Sequence, residues 1–125
     1  MIISIGTDVV QIQRIERIWD NSRGPFQRRI FHPDERADHP EHITPSFVAG
    51  RFAAKEALAK ALGTGIAEGV SWRHLQIFRQ PKGAPRVVLI DKAQDRARAM
   101  GCERVHLSIS HEKDYAIAFV VLEGD

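Results

Sequence analysis

The fold is decided by residues 51–65, which read RFAAKEALAKALGTG. Alanine and leucine favour helix strongly, and Thr44 followed by Pro45 supplies an N-cap and a first helical residue. The glycine-flanked turn Gly63-Thr64-Gly65 supplies a left-handed stop, and its backbone N–H groups can meet an anion without side-chain obstruction. We therefore predict a helix that runs from about Pro45 to Leu62.

The sides of this helix differ in chemistry. Glu56 and Lys60 project from one side, about 40° apart around the axis, and small residues beside them leave a flat surface that another segment or a ligand can approach. Glu four residues before Lys is also the favoured order for an exposed helical ion pair of about 0.2 to 0.5 kcal/mol, so spacing alone favours a structural role. The residues of the apolar side are Phe47, Ala54, Leu58 and Leu62, and those of the flat side are Ala49, Ala53 and Ala57.

Length and composition predict one domain that covers residues 1–125. Of the 125 residues, 43% are hydrophobic, which is enough to bury a core at this size. No apolar run approaches the length of a membrane span, and the opening MIISI lacks the charge and cleavage site of a signal peptide. The lone Cys102 has no partner for a disulfide or a zinc site. We therefore expect a cytoplasmic protein that does not bind a membrane.

The basic residues of the first third of the chain predict an acidic partner. The net charge is only +2, but a local basic surface suits a nucleotide, a nucleic acid or an acidic protein. A solvated surface explains these residues about as well. Aromatic residues make up 7% of the chain and are not interleaved with the basic ones, which argues against a platform for single-stranded nucleic acid. The basic residues are Arg14, Arg17, Arg23, Arg28 and Arg29.

The first strand should carry a carboxylate at its end. Residues 1–5 are apolar and β-rich and lead into Gly6-Thr7-Asp8, so Asp8 is expected where the strand stops. It either serves function there or caps the helix that follows, whose isoleucines recur at helical spacing over about 10–20.

The remaining elements predict an α+β domain. Two hairpins are indicated by apolar runs flanking turn residues, and Asp91 with Gln94 resembles a capping box for a helix that Gly101 ends. Because the helices are grouped rather than alternating with strands, we expect a mainly antiparallel sheet packed around the long central helix. The predicted segments are helices at 25–31, 33–39 and 92–100, and strands at 75–79, 86–90, 105–110 and 115–122.

Four motifs together resemble the holo-acyl-carrier-protein synthases, the short bacterial phosphopantetheinyl transferases of fatty-acid synthesis. Their order and separations agree with that family, and the resemblance covers essentially the whole chain. Each string is weak alone, whereas the set is specific. The motifs are GTDVV at 6–10, GRFAAKEA at 50–57, KALGTG at 60–65 and SISH at 108–111.

The resemblance implies a magnesium-dependent enzyme that moves the phosphopantetheine arm of coenzyme A onto a serine of acyl carrier protein. It implies that Asp8 and Glu56 bind Mg²⁺ and that Lys60 contacts the reacting phosphate. These residue types suit the chemistry, because phosphoryl transfer needs charge neutralisation and alignment, and Mg²⁺ is commonly held by one or two carboxylates with substrate phosphates. Either Glu56 or a water on the metal could accept the serine proton, and the residues leave that choice open.

Further positions carry over from the family. The resemblance implies that Arg14, with Arg17 beside it, docks the acidic helix of the carrier protein. It also implies a homotrimer whose sites lie between subunits. The family has other residues where this chain reads Phe31-His32-Pro33 and His42-Ile43-Thr44, so the resemblance leaves open whether that region contacts coenzyme A. The implied coenzyme-binding residues are Arg51, Lys60, Gly63, Thr64, Gly65, Gly83, Pro85, Ser110 and His111.

Two other functions compete with the transferase. A coenzyme-binding module without activity would keep the arginines and glycines but would not need both Asp8 and Glu56. A nucleic-acid binder would lose affinity for nucleic acid steeply as salt rises, and coenzyme A would not affect that affinity. The acidic pair argues against the first of these, and the sparse aromatic residues argue against the second.

Overall fold

The computed structural model describes all 125 residues, Met1–Asp125. It contains five strands and four α-helices, with a short 3-10 turn at Trp72–His74. No helix has both the length and the apolar character needed to cross a membrane. In chain order the elements are β1 (Ile2–Gln11), α1 (Ile12–Ile30), α2 (Pro33–Asp38), α3 (Pro45–Leu62), β2 (Leu75–Phe78), β3 (Arg86–Leu89), α4 (Asp91–Ala99), β4 (Arg104–His111) and β5 (Tyr115–Glu123).

The strands form two antiparallel sheets. The larger has the order β1-β5-β4, so the last strand of the chain lies in its middle, and the smaller is the β2-β3 hairpin. Both predicted hairpins are confirmed, as is the α+β class. The sequence did not indicate that the strands divide into two sheets, because hairpin signals are local and say nothing about which hairpins join.

The central helix α3 has the predicted bounds and caps. Thr44 Oγ1 accepts a hydrogen bond from the Phe47 N–H at 3.1 Å, and Gly63 ends the helix in the left-handed conformation with φ 79°. Twelve of its eighteen residues are buried. An amphipathic helix buries one side only, so α3 is covered more completely than that. Its alanine side receives β1, where a Cβ at Gly6 would lie 2.1 Å from the Ala57 carbonyl oxygen.

The position of Asp8 differs from the prediction. Because β1 extends to Gln11, Asp8 lies within the strand, opposite Ala118 of β5, and not at the strand's end. It does not cap α1 either, since Gln11 occupies that position without a side-chain hydrogen bond. Val9 and Val10, which have high strand propensity, continue the pairing with β5 beyond Gly6 and Asp8, whose own propensity is low.

Two further predictions concern the helices α1 and α4. The gap between the predicted helices at about 10–20 and 25–31 corresponds to a kink in α1, where Ser22 is non-helical ahead of Pro25. Proline removes a backbone donor and crowds the preceding turn. The predicted capping box at the start of α4 is wrong. Ile90 is the N-cap without a side-chain bond, and Asp91 has a positive φ of 51°.

Candidate functional site

Asp8 and Lys60, which are far apart in sequence, meet where β1 crosses α3. The Lys60 ammonium donates to Asp8 Oδ1 at 2.9 Å and to the Thr7 carbonyl at 3.1 Å. The Asp8 side chain is mostly covered at 16% exposure, whereas the Lys60 side chain is 55% exposed. The intrahelical ion pair between Glu56 and Lys60 is not formed, because each side chain has another partner.

Glu56 lies one helical turn before Lys60 and is held by a residue that the sequence did not single out. Its Oε1 accepts a hydrogen bond from the Trp72 indole N–H at 3.0 Å. An indole N–H is a donor only, so it suits an ionised carboxylate. The sequence carried no signal for this contact, because Trp72 belongs to a segment with neither strand nor helix periodicity.

The carboxylates of Asp8 and Glu56 are donors of the type that suits a magnesium ion, which would take its other ligands from substrate and water. No three His, Cys, Asp or Glu side chains of this chain lie together as a metal site. Each of the two carboxylates, however, has one oxygen engaged by a hydrogen bond and one without a partner. Two carboxylates with free oxygens are the protein share that Mg²⁺ typically uses beside phosphates.

A second group of predicted residues lines a cleft of about 300 Å³ at the other end of α3. Arg51 is only 7% exposed, forms no salt bridge, and its Nε has no hydrogen-bond partner. Burial lowers the pKa of its guanidinium, partly offset by Glu35 and Asp38. A buried cation without a partner is costly unless a ligand supplies the counter-charge. The cleft is lined by Thr44, Ser46, Phe47, Gly50, Arg51, Pro85, Ile109 and His111.

His111 connects this cleft to a larger one on the face of the three-stranded sheet. The larger cavity, of about 560 Å³, is lined by Val9, Ser110, His111, Glu112, Tyr115 and Ile117. Ser110 and His111 end β4, whereas Gly83 lies in the exposed β2-β3 turn with φ 84°. The structure thus brings together Arg51, Pro85, Ser110 and His111 around two adjoining cavities, and Gly83 lines neither.

The Gly63-Thr64-Gly65 turn is less open to an anion than predicted. The Gly63 N–H donates to the Lys60 carbonyl at 3.0 Å and the Gly65 N–H donates to the Ala59 carbonyl at 3.1 Å. Both N–H groups therefore satisfy the carbonyls at the end of α3, as in other left-handed helix ends. Thr64 has the only N–H group of the turn that no backbone carbonyl accepts.

The remaining predicted positions lie on α1 and near α2. Arg14 and Arg17 are exposed on α1, and Arg23 stacks over the ring of Trp19 at 4.8 Å. His32 caps α2, since its Nδ1 accepts from the Asp34 N–H at 3.1 Å. His42 is exposed and lines neither cavity.

The two groups occupy opposite sides of α3. Arg51 and Lys60 are nine positions apart, which corresponds to about 180° around the helix and about 13.5 Å along it. Asp8, Glu56 and Lys60 do not line the cleft of Arg51. One chain therefore presents two separate groups of residues. We name the group of Asp8, Glu56 and Lys60 the carboxylate half-site, and the group of Arg51, Pro85 and His111 the arginine half-site.

Comparison with known proteins identifies the family. Residues 4–120 match the 4'-phosphopantetheinyl transferase superfamily. The chain belongs to this superfamily. Within it the chain falls among the holo-acyl-carrier-protein synthases, and a curated member from Nitratidesulfovibrio vulgaris is 45% identical over 99% of this chain and 100% of its own length.

Solved structures agree with the family and the fold. A holo-acyl-carrier-protein synthase from Neisseria meningitidis is 42% identical with a TM-score of 0.86, covering 98% of this chain and 99% of its own. The synthase from Bacillus anthracis, solved in complex with CoA (3',5'-ADP), is 38% identical with a TM-score of 0.81, covering 100% and 99%. As a phosphopantetheinyl transferase, this synthase-family chain is an enzyme.

Proposed function

We propose that this protein transfers the phosphopantetheine group of coenzyme A to a serine of apo acyl carrier protein and releases adenosine 3',5'-bisphosphate. The observation that carries the proposal is the buried Arg51 side chain beside His111 in a cleft, because it forms no salt bridge and its Nε has no hydrogen-bond partner. Such a group calls for an anion, and a phosphate of the coenzyme supplies one through charge-assisted hydrogen bonds. The family supplies the reaction class.

The reaction forms a bond between the serine oxygen and the phosphorus that carries pantetheine, and it breaks the bond from that phosphorus to the adenosine bisphosphate oxygen. The serine proton leaves, and Glu56 Oε2, which no donor of the chain occupies, is free to accept it. The exposed Lys60 ammonium neutralises charge on the pyrophosphate. Asp8 and Glu56 would hold Mg²⁺, which supplies further neutralisation of phosphate charge.

We propose that the two half-sites are completed between copies of the chain. They lie on opposite sides of α3, and the sheet beside the arginine half-site exposes an apolar face. On this face Val9 lies opposite Ile117, and Ile5 and Phe119 flank them. A contiguous apolar patch of this kind is typical of a protein interface. A second copy on this face borders the His111 cavity, which supports the homotrimer with shared sites.

The cellular setting follows from the proposed reaction. We place the protein in fatty-acid biosynthesis, where acyl carrier protein requires this group, and in the cytoplasm. The free thiol of Cys102 is consistent with a reducing compartment. The partners are then coenzyme A as substrate and the acidic helix of the carrier protein.

The test is the intact mass of apo acyl carrier protein after incubation with the protein, coenzyme A and Mg²⁺. We expect one phosphopantetheine group to be added, and we expect chelation to stop the transfer until Mg²⁺ is returned. Lys60→Met should be inactive, and the matched control Lys92→Met on α4 should be active. An unmodified carrier protein together with bound coenzyme A would instead identify a binding module.

A further inference from the structure

Trp72 stands out because its ring is fixed on several sides while its N–H group points at one carboxylate. The indole Nε1 donates to Glu56 Oε1 at 3.0 Å. Its ring stacks with Phe52, with 6.3 Å between centroids and 27° between planes. The Arg29 guanidinium carbon lies 4.9 Å from the ring centre. A ring held in this way offers its N–H group in one fixed direction.

The backbone of Trp72 is fixed as well, by an ion pair in the core. The Lys55 ammonium donates to the Trp72 carbonyl at 2.8 Å and to the Leu75 carbonyl at 2.7 Å. It also donates to Glu35 Oε1 at 2.7 Å, and both side chains of this pair are 0% exposed. Burial lowers the Lys55 pKa to about 8, while Glu35 opposes the shift.

Glu35 completes this anchor. Its Oε1 also accepts from the His32 N–H at 3.0 Å, and its Oε2 accepts from the Ile77 N–H at 3.1 Å. The buried charges are therefore fully hydrogen-bonded, which is the condition under which such a network rigidifies its surroundings. The anchor joins α2, α3 and β2 to the 3-10 turn that presents the indole.

We propose that Trp72 is a positioning residue for Glu56. It holds Oε1 and so directs the unpartnered Oε2 toward the site that Mg²⁺ and substrate would occupy. The inference rests on the proposed function, because it assumes that Glu56 serves the transfer. Partners that orient a metal-binding carboxylate in this way typically change metal affinity or activity by 10- to 100-fold when they are removed.

The variant Trp72→Phe keeps an aromatic ring against Phe52 and Arg29 but removes the donor. We expect the Mg²⁺ concentration for half-maximal transfer to rise about tenfold. The KM values for coenzyme A and for the carrier protein should change less than about twofold, because the other residues proposed to bind them, such as Arg51 and Arg14, are not among those that the Trp72 ring contacts. The matched control is Trp19→Phe, since Trp19 is buried in the core and has no contact with Glu56. The control should leave the Mg²⁺ dependence unchanged.

A second readout does not depend on turnover. In the Trp19→Phe protein Trp72 is the sole indole, so its fluorescence reports the state of the Glu56 carboxylate. Titration with Mg²⁺ in the presence of coenzyme A should give a saturable change in emission. Glu56→Gln should abolish this change. This readout also decides the matter if Trp72→Phe does not fold.

The outcomes separate this inference from the proposed function. If Glu56→Gln still transfers the group at the wild-type rate, the proposed role of Glu56 is wrong. If Glu56→Gln is inactive while Trp72→Phe retains the wild-type Mg²⁺ dependence, only the positioning role is overturned. A Trp72 emission that does not change with Mg²⁺ would overturn the positioning role as well.

Discussion

At the residue scale, Arg51 shows how a functional side chain can oppose stability. Its guanidinium is buried, and no acidic side chain pairs with it. Removing an unpaired buried charge while keeping the apolar stem relieves a desolvation cost. If Arg51 binds the coenzyme as proposed, the same removal deprives a coenzyme phosphate of its partner. The sequence motif predicted that Arg51 binds the coenzyme, but only the structure shows that its guanidinium stacks over the Phe47 ring at 4.7 Å and forms no salt bridge within the chain.

We therefore expect Arg51→Met to raise the free energy of unfolding by about 1 to 3 kcal/mol. The coenzyme A concentration for half-saturation should rise at least about tenfold, since a hydrogen bond to a charged group contributes about 1.5 to 3 kcal/mol. Denaturant unfolding and coenzyme titration measure the two effects. Arg51→Lys, which keeps the charge but not the planar fork, is the control. A less stable Arg51→Met protein with unchanged coenzyme binding would contradict this account.

At the element scale, the junction of α2 and α3 contains a histidine that resists protonation. The ring of His39 lies edge-on to Phe31 at 4.5 Å and to Phe47 at 5.2 Å. Its buried Nε2 has no partner. Burial, followed by the charge of Arg51, lowers its pKa from 6.5 to about 4; Lys55 and Arg79 act in the same direction and Asp38 opposes them.

This shift sets the sign of a pH effect. Well above pH 6.5 His39 is neutral in both the folded and unfolded states, so it does not change stability there. Between pH 6.5 and pH 4 His39 binds a proton in the unfolded chain but stays neutral in the folded chain. The free energy of unfolding therefore falls as the pH falls. Allowing for solvent screening at a half-buried site, we expect a loss of about 1 to 2 kcal/mol.

Unfolding at pH 7 and at pH 4.5 measures the loss from His39. Other groups also titrate in this range, so the difference between variants is the informative quantity. His39→Gln should show a smaller loss than the wild type, whereas the exposed His42→Gln should behave like the wild type. Equal acid sensitivity in all three proteins would exclude His39 as the source.

Helix α1 gives a prediction about the partner protein. Arg14 and Arg17 are exposed on it, three positions apart, and available to an acidic helix. Arg14→Ala should raise the half-saturating concentration of carrier protein several-fold and leave that of coenzyme A unchanged. The effect should shrink at high salt, because exposed charges are screened. Steady-state kinetics against each substrate provide the test, and equal effects on both substrates would exclude docking.

The elements that the sequence predicted correctly are those whose signals are local. Thr44 and Gly63 mark the ends of α3, and turn residues mark both hairpins. The contacts that position the site are not local. Glu35 reaches Lys55 across 20 positions and Trp72 reaches Glu56 across 16, and no periodic pattern records such pairs. The same limit explains Asp8, whose place within β1 depends on pairing with β5.

At the scale of the whole molecule, the two half-sites and the apolar sheet face support the proposed assembly of identical chains. Arg51 and Lys60 project from opposite sides of α3, so a single chain cannot bring both to one small group. A ring of identical chains with head-to-tail contacts can supply Arg51 from one copy and Lys60 from its neighbour. The family resemblance suggested this assembly. The motifs alone gave no information on which site residues lie together on one side of a chain.

The most direct test of this shared site is the carrier-protein mass shift measured on a refolded mixture of two variants, Arg51→Ala and Lys60→Ala. Each variant alone should be nearly inactive when coenzyme A is well below the wild-type half-saturating concentration. In a one-to-one mixture, half of the copies keep each residue, so about a quarter of the sites in mixed rings should regain both. Recovery of about a quarter of the wild-type transfer rate is the expected result. A mixture as inactive as its two components, with both variants folded and assembled, would contradict a site that is completed between copies.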